Sequence, residues 1–109
     1  QQKASTKEDV NVEKFTELIH SKKGQILDVR TPEEWAEGII EGAIKANFYD
    51  DGFKSQLEKL DKNKPVYVYC KSGGRSGKAA NQLKEMGFEV YNLLGGITAW
   101  NDSGKQTKK

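Results

Sequence analysis

A chain of 109 residues with 18 basic and 16 acidic side chains, net charge +2, is long enough for one domain with a real core and too short for two. That near-balance, spread along the chain, excludes the basic face of a nucleic-acid binder, and no apolar run nears the ~18 residues that a membrane span needs. The single cysteine excludes an internal disulfide and a multi-cysteine zinc site, and neither a metal nor a cofactor is expected.

Residues 1–8 show no periodicity and are expected to form a mobile tail. The chain opens on Gln1 rather than Met, so an upstream piece is expected to have been removed, and a soluble cytoplasmic protein and an exported one both stay open. A short edge strand is expected near Asp9 to Asn11. The spacing of Val12, Phe15, Leu18 and Ile19 predicts an amphipathic helix closed by Lys22, Lys23 and Gly24, with His20 a surface residue near its end. A second strand over residues 25–29 leads into Asp28-Val29-Arg30. Thr31, Pro32 and Glu34 then form a capping box for a short helix that contacts the core through Trp35 and Ala36 and stops at Gly38. Asp28 and Arg30 read as a buried polar brace for the next loop, because charged groups at a strand end beneath a site need partners.

Residues 39–48 carry a third strand around Ala43, Ile44 and Ala46, and Asp50 and Asp51 are expected to cap a helix whose face is Phe53, Leu57 and Leu60. Pro65 introduces Val66-Tyr67-Val68-Tyr69, a β-branched and aromatic run too short for a helix. Beyond the following loop, Ala79, Ala80, Leu83 and Met86 share one helical face, with Lys78, Gln82 and Glu85 on the other and Gly87 as the stop. Residues 89–94 form a last strand. Gly95-Gly96 lacks phosphate-loop spacing and reads as a turn beside the site, entering a short helix with Ile97, Ala99 and Trp100. Residues 102–109 read as a second mobile tail, leaving residues 9–101 as one domain. Strands alternating with helices predict an α/β architecture, a mostly parallel sheet with helices on both faces.

The chemistry centres on Cys70-Lys71-Ser72-Gly73-Gly74-Arg75-Ser76, between a strand and a helix. The two glycines let the loop curl and turn its N–H groups inward. The thiol is expected above a ring of amide donors, partly exposed, at the positive end of a helix dipole, with Lys71 and Arg75 beside it; such surroundings favour a thiolate near neutral pH. Sixteen of the 18 basic residues are lysine, and the two arginines, Arg30 and Arg75, both follow predicted strands, where open α/β sheets place their sites.

Four motifs in order, Asp28-Val29-Arg30-Thr31-Pro32-Glu33-Glu34-Trp35, residues 38–43, Tyr69-Cys70-Lys71-Ser72-Gly73-Gly74-Arg75-Ser76 and Leu94-Gly95-Gly96-Ile97-Thr98-Ala99-Trp100, resemble a single-domain rhodanese, a sulfurtransferase. The resemblance implies a five-stranded parallel sheet flanked by helices, with the active-site loop after the central strand. It also implies that Cys70 takes a sulfane sulfur from a donor anion such as thiosulfate, becomes a persulfide, and passes the sulfur to cyanide, a thiol or a protein acceptor. Residues Lys71, Ser72, Gly73, Gly74 and Arg75 would line the loop, Ser76 would open the helix, Asp28 and Arg30 would give structural support, and the protein is expected to act as a monomer. A thiolate attacking an anion needs local positive charge, and no general base is needed once the thiolate exists. The family commonly has Gly-His-Ile-Pro-Gly-Ala where this chain has Gly38-Ile39-Ile40-Glu41-Gly42-Ala43, a departure expected to alter that turn and its packing. Two other readings remain: a sulfur-carrier or binding module with little turnover, and a phosphatase or arsenate reductase. The latter form resembles Cys-x5-Arg, whereas four residues separate Cys70 from Arg75 here.

Overall fold

The computed structural model describes residues 5–109; the first four positions of the expected N-terminal tail lie outside the described residues. The elements follow in the order β1 (Thr6–Val10), α1 (Val12–His20), β2 (Gln25–Asp28), α2 (Pro32–Trp35), β3 (Ile44–Lys45), α3 (Phe53–Glu58), β4 (Val66–Tyr69), α4 (Gly74–Glu85), β5 (Glu89–Leu93) and α5 (Gly96–Asp102). The strands form one sheet in the order β1-β5-β4-β2-β3, every neighbouring pair parallel. This is the five-stranded parallel sheet that the family resemblance implied, with β4 at its centre.

Period-two alternation along β4 divides the core. Val66, Val68 and Cys70 join a cluster with Phe53 and Leu57 of α3 and Ala79, Ala80 and Leu83 of α4. Tyr67 and Tyr69 face the other way, with Phe15 of α1 and Ile97 and Trp100 of α5. A strand apolar on both faces belongs inside a parallel sheet covered on both sides, as β4 is.

Four boundaries differ from the sequence reading. The edge strand expected near Asp9 to Asn11 runs from Thr6 to Val10, so residues 6–8, counted with the tail, pair with β5 from Thr6–Glu89 to Val10–Leu93. Only Val10 of β1 is buried, and a polar strand held at an edge by backbone hydrogen bonds leaves no hydrophobic alternation to read. The strand expected within residues 39–48 shrinks to Ile44–Lys45. Gly38 and Gly42 bend the preceding chain at φ values of 132° and 89°, and the Ala43 N–H donates to the Ile40 carbonyl at 3.0 Å. Gly42 thereby supplies the positive φ that such a turn needs at its third position, without the family's proline before it. At α3 the N-cap is Gly52 rather than an aspartate; the Asp50 carboxylate instead accepts from the Gly52 N–H at 3.1 Å.

The fourth difference is at the C-terminus, where residues 102–109 were read as a tail. The Trp100 indole N–H donates to the Gln106 carbonyl at 3.0 Å. Ile39 and Lys108 exchange reciprocal backbone hydrogen bonds of 2.8 and 2.7 Å. A single antiparallel bridge of this kind has no sequence period.

The loop before β3 is also tied to the central strand, since the buried Tyr69 hydroxyl accepts from the Ile40 N–H at 3.0 Å. Tyr69→Phe leaves that buried N–H without its partner and is expected to cost about 1–3 kcal/mol. The check is urea unfolding, with the midpoint lowered and the slope unchanged.

Candidate active site

Cys70 is the first residue beyond β4, and the chain turns from it through residues 71–73 into α4. Gly73 occupies the N-cap position in a left-handed conformation, φ 109°. A side chain there would be strained, and this conformation aims the Gly73 N–H at Cys70 Sγ, 3.0 Å away. One turn into α4, the buried Ser76 hydroxyl lies 3.4 Å from Sγ and 3.3 Å from the Gly73 carbonyl, so its one proton serves either acceptor. Burial pushes the Cys70 thiol up, but hydrogen bonds from the Ser76 hydroxyl and from the Ser76, Gly73 and Ser72 amides outweigh it and bring the thiol below its ordinary value. The amide-lined cup expected from the two glycines is present.

Its exposure is not what the sequence suggested. Cys70 is 1% exposed rather than partly exposed, because it continues the inward alternation of Val66 and Val68 toward α4. The groups that bring the thiol down also enclose it.

The two cations of the loop have different surroundings. Lys71 is exposed and makes no ion pair among the described residues. Arg75, expected beside the thiol, gives its guanidinium to Glu34 instead, with Nη1 to Oε1 at 2.8 Å and Nη2 to Oε2 at 2.9 Å. The Tyr49 ring lies 5.7 Å from the Arg75 guanidinium carbon. Arg75 does feel the charge of Cys70, but Glu34 acts on it more strongly. The lowering of the Cys70 thiol therefore rests on neutral hydrogen-bond donors more than on paired cations.

Glu34 is the residue whose role the sequence concealed. The predicted capping box is present, with the Thr31 N–H donating to Glu34 Oε1 at 3.1 Å and the Glu34 N–H to Thr31 Oγ1 at 3.4 Å. The box accounts for the residue locally, so nothing in the sequence pointed to Arg75, 41 positions away. The Arg75 hydrogen bonds hold the Glu34 carboxyl down to about 2, against an opposing push from burial and with help from Thr31.

Asp28 and Arg30 form the brace that was expected. Arg30 Nε donates to Asp28 Oδ1 at 3.0 Å, and Arg30 Nη2 donates to Asp28 Oδ2 at 2.8 Å and to the Gly38 carbonyl at 2.7 Å. Both side chains are buried, and the bond to Gly38 ties the loop after α2 to the sheet. A charge pair at this depth needs such saturation with hydrogen bonds to be tolerated.

The Gly95-Gly96 turn closes the site from the other side. The Ile97 and Thr98 N–H groups donate to the Cys70 and Lys71 carbonyls at 2.9 and 3.1 Å. A methyl group on Gly96, at φ 56°, would come within 2.4 Å of the Cys70 carbonyl oxygen. Sequence reasoning placed this turn beside the site; its contact with the Cys70 backbone emerges only from the fold.

These features agree with what the chain is similar to. The family model described as Rhodanese-like domain matches residues 11–103. The chain belongs to the rhodanese-like family. It is 40% identical over 88 residues to the uncharacterized protein YqhL of Bacillus subtilis, covering 80% of this chain and 68% of that protein. It is 32% identical over 95 residues to thiosulfate sulfurtransferase GlpE of Shewanella oneidensis, covering 86% of this chain and 92% of the relative. The solved structure of a rhodanese-related protein from Thermoplasma volcanium superposes with a TM-score of 0.84 at 28% identity, over 93% of this chain and 97% of that one.

Two variants test the geometry of this rhodanese-like site. Ser76→Ala is expected to move the Cys70 titration, followed by thiolate ultraviolet absorbance on the sole cysteine, upward toward or beyond the free-thiol value of about 8.5. Gly96→Ala is expected to cost roughly 2 kcal/mol or more, because a left-handed conformation and a backbone clash coincide there, as read from the denaturation midpoint.

Proposed function

We propose that this protein is a sulfurtransferase that carries a sulfane sulfur on Cys70 as a persulfide. The observation that carries the reading is the pair of hydrogen bonds reaching Cys70 Sγ from the Gly73 N–H and the Ser76 hydroxyl at the head of α4. They favour an anionic sulfur, and a nucleophile already ionised needs no general base.

In the first half-reaction the Cys70 thiolate attacks the outer sulfur of thiosulfate. A new S–S bond forms on Cys70, the old S–S bond breaks, and its electron pair leaves with sulfite. In the second, cyanide or a thiolate attacks the terminal sulfur and the Cys70 thiolate returns, so no external oxidant or reductant is consumed. The terminal sulfur of the persulfide carries negative charge, and amide donors of the 72–76 loop are suited to stabilise it as they do the thiolate. Lys71, exposed and without an ion pair among the described residues, supplies positive charge on the loop, while Arg75 acts through its ion pair with Glu34. Asp28 and Arg30 hold the neighbouring loop and take no part in the transfer.

The Arg75 arrangement also bears on the phosphatase alternative. An oxyanion cradle needs its guanidinium directed at the ligand, and here that fork is engaged by Glu34 in two hydrogen bonds.

Incubation with thiosulfate is expected to add the mass of one sulfur atom to the intact protein, and cyanide to remove it with release of thiocyanate. Cys70→Ser should show neither change. A wild-type protein that gains no sulfur, or a Cys70→Ser variant that turns over at full rate, overturns the assignment. Stable loading without turnover would identify a carrier.

A further inference from the structure

Arg75 and Glu34 hold opposite charges in a two-point contact at the edge of the sulfur-transfer loop. Each is fixed from a second side. Glu34 Oε1 also accepts from Thr31 Oγ1 at 3.0 Å and from the Thr31 N–H, so α2 presents the carboxylate in one orientation. Arg75 is flanked by the Tyr49 ring, itself 67% exposed. Both side chains are about one-fifth exposed, at 19% and 21%, so the pair is only partly screened by solvent. The low value to which the Glu34 carboxyl is held keeps both partners charged throughout the neutral range.

Resting on the sulfurtransferase reading, we infer that Glu34 is a positioning residue that selects donors by charge: it withholds the Arg75 positive charge from the incoming anion and so favours monoanionic sulfane donors over dianions. A guanidinium without a partner would attract any donor and would help a dianion most, because attraction scales with the product of charges. Paired with a carboxylate, it contributes almost no net charge at the distance of the reacting sulfur. Lys71 is then the loop cation with no ion pair among the described residues, and repulsion between the thiolate and a dianion is twice that felt by a monoanion. Fixation of Glu34 by Thr31 matters because a free carboxylate could swing away and release Arg75 whenever a dianion approached.

The test uses two donors with the same transferable sulfur. Thiosulfate carries two negative charges; the methanethiosulfonate anion carries one. In each case the Cys70 thiolate attacks the outer sulfur, the S–S bond breaks, and sulfite or methanesulfinate leaves with the electron pair. The measured quantity is the ratio of second-order rates of persulfide formation, thiosulfate over methanethiosulfonate, followed by intact mass in low-salt buffer.

Glu34→Gln keeps the side-chain shape and the capping acceptor but removes the charge. It is expected to raise the ratio about fivefold, the effect of one unmasked and mobile unit charge acting on the second negative charge of the dianion at about 4 Å in water, with the gain shrinking as salt is added. Arg75→Gln leaves Glu34 charged and unpaired and is expected to move the ratio the other way. The double variant is neutral, like the native pair, and should return to the wild-type ratio. A merely structural role would slow both donors together and leave the ratio within twofold of wild type in all three variants; that result overturns the inference. Opposite shifts in the two single variants support it, and either one that folds is informative by its sign. If the wild-type protein takes sulfur from neither donor, the sulfurtransferase reading fails, and this inference with it.

Discussion

Easing the ionisation of a buried thiol is the constraint that ties together the geometry around Cys70. Burial alone would hold the Cys70 thiol neutral, since a charge in apolar surroundings loses its hydration. Hydrogen bonds from Ser76, Gly73 and Ser72 reverse that preference. They can do so only because the chain after β4 curls at Gly73, where a left-handed angle carries an N–H toward the sulfur. The carbonyls of the same loop must face elsewhere, and they do: α5 supplies the Ile97 and Thr98 N–H groups to the Cys70 and Lys71 oxygens. The cup is thus built from two glycine-bearing turns, one providing donors and the other occupying the acceptors that would compete with them.

Positive charge is handled differently from first appearances. From the sequence, Arg30 is expected in a brace with Asp28 and Arg75 beside the thiol. In the folded protein each is committed to a carboxylate, Arg30 to Asp28 in the interior and Arg75 to Glu34 at the surface. A guanidinium offers a planar fork matched to a carboxylate, which explains why arginine rather than one of the sixteen lysines stands at these positions. Each arginine also ties its segment to another: Arg30 reaches the Gly38 carbonyl, and Arg75 of α4 reaches Glu34 of α2. The arginines therefore set the shape of the site, while backbone and hydroxyl dipoles favour the charged form of the Cys70 sulfur. This division suits the proposed sulfur transfer, where the charge to be stabilised sits on one small, polarisable atom.

Much of this was readable from local pattern. The Val66-to-Tyr69 run, the face of Ala79, Ala80 and Leu83, and the stop at Gly87 all reappear, the last with Phe88 N–H donating to the Leu83 carbonyl at 3.0 Å. The capping box at Thr31 and Glu34 and the brace of Asp28 and Arg30 also match. Each depends on residues within a few positions of one another, so spacing alone carries the signal. What failed did so where tertiary contacts replace local ones. The polar strand β1 exists because β5 offers it an edge, and the chain beyond α5 is held through Ile39 and Trp100 rather than by any preference of its own.

By itself, then, the amino-acid sequence determined the alternating α/β order, the position of the one cysteine and the glycines that curl around it, because these follow from side-chain period and backbone freedom at neighbouring residues. Tertiary structure alone decided that Cys70 is enclosed, that Arg75 answers to Glu34 rather than to the thiol, and that α5 grips the Cys70 carbonyl. Those outcomes depend on which distant groups meet at a few ångströms. Hydrogen bonds and ion pairs fall off too steeply with distance and angle for sequence spacing to reveal them.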